Sequence, residues 1–144
     1  MHKEDEQSAE EFFPRVESFP DFTGKQREFV IELQDNPRGY FLRATEKQRP
    51  GNQEGFSFGA YSPTDPFMAL GNLRSKIRQG LATRYLTEGG YGRTLSHDKL
   101  KGTIGYGGVV VDGEFIPFQE LVALIDMHEG FQFSLTIADL YEDL

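Results

Sequence analysis

The sequence predicts an α+β domain, with a mainly antiparallel sheet of about five or six strands and two helices packed on one face of it. Three observations carry that prediction. Between Arg27 and Ala60, apolar residues recur at every second position in three successive runs, the period of a half-buried strand. From Phe67 onward the spacing lengthens to three or four, as on one face of a helix. After Gly102, short β-branched runs, a second helical stripe and a final alternating run repeat both signals.

The elements are justified in chain order. Residues 1–10 form a charged tail expected to be disordered, although Ser8 to Glu11 has the S-x-x-E form of a helix-capping box. Phe12, Phe13, Val16, Phe19 and Phe22 are too apolar for a free tail, so residues 11–23 are expected to dock on the core as an arm. Pro14 limits any helix there to a short one. Phe29, Ile31 and Leu33 share a face of the first strand; Tyr40, Leu42 and Ala44 do so in the second, and Phe56, Phe58 and Ala60 in the third. Asp35-Asn36-Pro37-Arg38-Gly39 is a turn, with Pro suited to its early position and Gly to a left-handed one. Neither this turn nor the polar loop Gln48 to Glu54 can contain a parallel crossover, so the three strands pair antiparallel.

Asp65-Pro66 opens the first helix, whose stripe is Phe67, Leu70, Leu73, Ile77, Leu81 and Tyr85. Residues 88–101, with Gly89, Gly90 and Gly92, read as a mobile loop. Gly102 to Gly108 is a weak strand, and Val109 to Val111 a firm one that turns at Asp112-Gly113 into Glu114-Phe115-Ile116. Pro117 opens a second helix with Phe118, Leu121, Val122 and Ile125 on one face and Gly130 as its stop. Phe131, Phe133, Leu135 and Ile137 then alternate with Gln132, Ser134 and Thr136, predicting a last strand buried on one side and wet on the other. Residues 27–87, the loop 88–101 and residues 102–138 thus contribute to a single domain spanning 11–144. Both helices begin P-F-x-x-L, a coincidence that the general preference for Pro in the first helical turn explains.

Composition limits the chemistry. A chain of 144 residues is long enough to bury roughly 70% of its unfolded surface, and thirteen Phe supply much of the apolar payload. The absence of Cys excludes disulfides, thiolate nucleophiles and thiolate metal sites. No apolar run reaches the ~18 residues of a membrane span, and the N-terminus lacks the apolar stretch of a signal sequence, so a soluble, cytoplasmic protein is expected. The net charge of −8 is segmental. Residues 1–21 carry two bases and seven acids, residues 22–111 thirteen and eight, and residues 112–144 none and eight. Within one fold the acidic ends are expected to lie against the basic middle; binding of nucleic acid by that middle is the alternative.

Catalytic motifs are incomplete. Gly55-Phe56-Ser57-Phe58-Gly59 has the G-x-S-x-G form of a nucleophile elbow, but a polar loop precedes Ser57 and the helix begins only at Pro66, so Ser57 is expected to be an outward strand residue. His2 lies in the tail, His97-Asp98 in the Gly-rich loop, and His128 in the last turn of the second helix, where its charged form suits the helix dipole. No paired-ligand spacing appears, and neither a metal nor a cofactor is expected. Gly89-Gly90-Tyr91-Gly92 and Gly105-Tyr106-Gly107-Gly108 complete no phosphate-binding pattern, although their tyrosines suit the rim of a pocket.

Two resemblances arise from these residues. The strand-strand-strand-helix order from Phe29 to Ile77, with Gly39-Tyr40 opening the second strand, resembles the partial RNase H-like fold of HicB-type antitoxins. That resemblance implies toxin binding. The run Val111-Asp112-Gly113-Glu114, Phe118-Gln119-Glu120-Leu121 and Glu129-Gly130-Phe131-Gln132-Phe133 is similar to the tail of uncharacterised bacterial domains, and implies no activity.

The expectation is therefore a non-enzymatic binding or regulatory domain acting through protein contacts or homo-oligomerisation, with Arg74, Lys76, Arg78, Tyr91, Arg93 and Tyr106 as candidate partner-binding residues. A small hydrolase or transferase using the Gly/Tyr loops, and an antitoxin-like nucleic-acid binder using the bases of the first helix, are the alternatives.

Overall fold

The computed structural model describes residues 9–47, 54–89, 92–96 and 99–144. Among these residues, nine strands and three helices follow one another as α1 (Ala9–Phe12), β1 (Arg15–Pro20), β2 (Gln26–Asn36), β3 (Gly39–Glu46), β4 (Ser57–Ser62), α2 (Pro66–Ala82), β5 (Leu86–Gly89), β6 (Gly92–Leu95), β7 (Thr103–Gly105), β8 (Gly108–Val111), β9 (Glu114–Pro117) and α3 (Phe118–Asp126). The α+β class is as expected, and all strand pairing is antiparallel. The expected single sheet of about five or six strands is corrected to three sheets: β1-β2-β3-β4, β5-β6 and β7-β8-β9. Alternation reports which residues share a face, not how many strands share a sheet.

The first sheet and α2 enclose the larger core. Phe29, Ile31, Leu42, Ala44 and Ala60 point to one face and meet Ala69, Leu70, Leu73, Ile77 and Leu81 of the helix. Each large side chain fully buried there contributes roughly 1.5–3 kcal/mol. The arm forms β1, which pairs Arg15 with Ile31 and Pro20 with Gln26 and seats Phe13 and Phe19 in this core. The β2–β3 turn is tight, with Asn36 opposite Gly39. Helix α2 starts where its sequence directs: the Asp65 carboxylate accepts from the Phe67 amide at 2.8 Å, and Pro66 occupies the first turn. Buried Ser62 supports that start, its Oγ accepting from the Asp65 amide at 3.1 Å. Two expected stripe positions differ. Phe67 stays 42% exposed while packing beside Phe12 and Phe13, and Tyr85 lies beyond the helix end.

A second, smaller core gathers Leu86, Val111, Ile116 and Leu124. Part of the segment read as a loop, 88–101, is the β5–β6 hairpin, in which Leu86 faces Leu95 and Gly89 faces Gly92. Its four-residue strands are too short for periodicity to reveal. The β8–β9 hairpin turns at Asp112-Gly113 as expected, with Val111 opposite Glu114. Asp112 adopts φ 55°, a left-handed conformation that Asp tolerates better than most residues. Its carboxylate accepts from the amides of Tyr85 (3.0 Å) and Leu86 (2.8 Å), which fixes the entry of β5. The two cores meet at Gly113, where an added Cβ would lie 2.4 Å from the Phe56 ring.

Candidate interaction surface

Helix α3 divides its apolar residues between two stripes. Leu121 and Leu124 face the small core, whereas Phe118, Val122 and Ile125, spaced four and three apart, face solvent. The expected grouping of Phe118, Leu121, Val122 and Ile125 on one buried face is thereby corrected. An apolar arc wider than the contact available leaves its far side uncovered. The helix ends in a turn where His128 Nδ1 lies 3.1 Å from the Leu124 carbonyl oxygen, the ring stands edge-on to Phe131, and Gly130 takes φ +89°.

The chain then runs without helix or strand from Phe131 to Asp139. The expected final strand is corrected here as well: Phe131, Phe133, Leu135 and Ile137 are 74%, 90%, 77% and 68% exposed, and no ladder joins them to a described residue. The alternation specifies a face to bury but supplies no neighbour to bury it. Half of the large apolar residues exposed among the described residues lie between Phe118 and Ile137.

Beyond this segment the chain returns to the first sheet. Asp139 Oδ1 accepts from the amides of Tyr141 (2.8 Å) and Glu142 (3.1 Å), a local Asx-type turn. The Tyr141 ring meets Phe41 of β3 at 5.0 Å and 74°, and Phe41 in turn packs on Tyr61 of β4 at 4.6 Å. Gly59 makes the approach possible, since a Cβ there would lie 2.8 Å from the Leu140 carbonyl oxygen. Lys76 completes the clasp: its Nζ donates to the Gly59 carbonyl at 2.8 Å and pairs with Asp143 Oδ1 at 2.9 Å. That hydrogen bond from Lys76 holds the Asp143 carboxyl below its ordinary pKa.

A cleft of about 200 Å³ lies between the β1–β2 turn and the second core, lined in part by Lys25, Arg84, Glu88, Arg93 and Glu114. It falls below the roughly 300–1,000 Å³ of typical small-molecule sites. One of its lining residues, Asp21, is held by several hydrogen bonds. Burial pushes this carboxyl up, but hydrogen bonds from Thr23, Arg27 and the Lys25 amide outweigh burial and bring its pKa to about 2. These bonds shape the β1–β2 turn and occupy the carboxylate.

The sequence-predicted residues that are described engage different partners. Arg74 is clasped by Glu17 of β1, with Nε 2.9 Å from Oε1, and this bond lowers the Glu17 pKa. Lys76 points instead to β4 and the chain's return. Arg78 lies over the Phe19 ring at 5.5 Å. Arg93 reaches Glu114 at 3.6 Å and Glu120 at 3.5 Å. Tyr106, at the β7–β8 turn, is 97% exposed, and Tyr91 lies outside the described residues, as do His97 and Asp98. The Glu17–Arg74, Asp21–Arg27 and Asp143–Lys76 pairs set acids of both ends against bases of the middle. The charge pattern set the acidic residues 112–144 against the basic middle, but it did not single out the clasp, because Tyr141 and Asp143 belong to no motif. Ser57 opens β4 opposite Thr45, and the rest of that strand separates it from α2, so the elbow geometry is absent. Among the described residues no group of acidic or His side chains is arranged to hold a metal, and no helix is long and apolar enough to cross a membrane.

Comparison with known proteins divides the chain near the junction of the two cores. Residues 11–82 match the family model described as domain of unknown function DUF7686, and residues 85–142 match domain of unknown function DUF7713. No curated protein and no solved structure matches the chain.

Proposed function

The chain belongs to the DUF7686 family, and from that premise we propose a non-enzymatic binding module that engages a protein chain through its C-terminal surface. The observation that carries this reading is the segment 131–137, which lies outside helix and strand, whose alternating apolar residues are exposed and which joins no sheet among the described residues. Such a segment is suited to pair with another strand, main-chain hydrogen bonds giving affinity and alternate side chains specificity. The outer stripe of α3 enlarges the apolar area at the same end of the chain. The engagement of Arg74 by Glu17 and of Lys76 by Asp143 favours a protein over nucleic acid as partner, since these bases of α2 already have carboxylate partners.

Incorporation of a photo-crosslinking phenylalanine analogue at Phe133 in cells tests the reading. A covalent adduct with a polypeptide, whether a second copy or another protein, is expected. Recovery of uncrosslinked monomer alone would remove the proposal.

A further inference from the structure

We propose that the polypeptide engaged by this surface is a second copy of the chain, and that the two copies exchange their C-terminal clasps. The inference rests on the binding role proposed above and adds the identity of the partner.

The observations are the two ends of the segment. At one end, Gly130 takes a positive φ and separates α3 from the segment that follows. At the other, Tyr141 and Asp143 are already seated on Phe41 and Lys76. Between them, residues 131–139 span up to about 30 Å at strand rise. A linker of that length can deliver the same clasp to a neighbouring copy, and every contact of Tyr141 and Asp143 is then retained between copies.

Exchange adds what the single chain lacks. Two crossing linkers related by a two-fold axis run antiparallel, and with Ser134 opposite its own counterpart the register places Phe133 against Leu135 and Phe131 against Ile137. Gln132 and Thr136 then share the other face. The segment from Phe131 to Ile137 carries no charge, so self-pairing meets no like-charge repulsion within it, despite the net charge of −8. A stable specific interface needs about 800 Å² from each partner, and the eight exposed apolar side chains between Phe118 and Ile137 supply apolar surface toward it in each copy.

The chain has no Cys, so thiols can be placed at will. Phe41→Cys and Tyr141→Cys are made in separate chains, co-expressed with different tags and treated with a short bismaleimide crosslinker. Light scattering on the unmodified protein over a concentration series accompanies this. The expected results are a mass twice that of the chain, a covalent heterodimer carrying both tags, and loss of the dimer, by about tenfold or more in dissociation constant, in Leu135→Glu. Leu135 is exposed, so that variant leaves both cores intact. A monomer at every concentration overturns the proposal, as does a dimer in which crosslinking occurs only when both thiols sit in one chain. If exchange fails while Phe133 still crosslinks to a different protein, the binding role stands and only the partner assigned here falls.

Discussion

Arg27 Nε lies 2.9 Å from Asp21 Oδ2, and this pair ties the β1–β2 turn to the end of β3 because the same guanidinium reaches Glu46 at 2.9 Å. Asp21 also accepts from Thr23 and Lys25, so one buried carboxylate organises the whole turn. Its depressed pKa makes the turn pH-sensitive in a defined direction. The Asp21 contribution is fully present above the ordinary value of 3.8 and is lost as pH falls toward about 2. Asp21→Asn is expected to cost about 2 kcal/mol at neutral pH, with the difference from the parent closing below pH ~4. Urea titrations of both proteins across that range check this; a gap that persists unchanged down to acid pH would assign the loss to packing.

The clasp should be separable from the core. Gly59→Ala places a methyl group against the Leu140 carbonyl, which cannot yield without moving the returning chain. Hydrogen exchange of residues 140–144 is expected to accelerate while amides of β2 and β3 keep their protection. Tyr141→Ala should act similarly, losing about 0.5–1.5 kcal/mol for the aromatic contact with Phe41.

Asp112 offers a test of the junction between the two cores. Asp112→Asn keeps both the left-handed conformation and an acceptor for the Tyr85 and Leu86 amides, and should cost under about 1 kcal/mol. Asp112→Ala strains the backbone and leaves those amides without their acceptor, and is expected to cost about 2–3 kcal/mol. Equal losses in thermal denaturation of the two variants would show that the acceptor is unimportant.

Buried and outward positions should respond differently to truncation. Leu73→Ala and Ile77→Ala each empty a fully buried position and should cost about 2–5 kcal/mol. Val122→Ala removes an outward residue of α3 and should change monomer stability by less than about 0.5 kcal/mol. Denaturant midpoints distinguish them, and a large loss at Val122 would show that the outer stripe is covered within one chain.

The period of apolar residues determined the class and the faces of β2 and β3, and capping and turn residues determined the start of α2 at Asp65-Pro66 and the turn at Asp112-Gly113. These are local properties: a side chain's face follows from backbone geometry, and a cap or tight turn from residues within a few positions of it. The same logic reached its limit at Phe131–Ile137. Alternation there matched a strand, yet whether such a segment is buried depends on an edge elsewhere in the molecule. Only the tertiary structure decided that the segment stays uncovered, that Lys76 holds the returning chain and that Arg74 serves Glu17, because each is a contact between residues far apart in sequence. Sequence thus determined which residues could form strands and helices. Long-range packing decided which of them found partners within the chain and which stayed exposed.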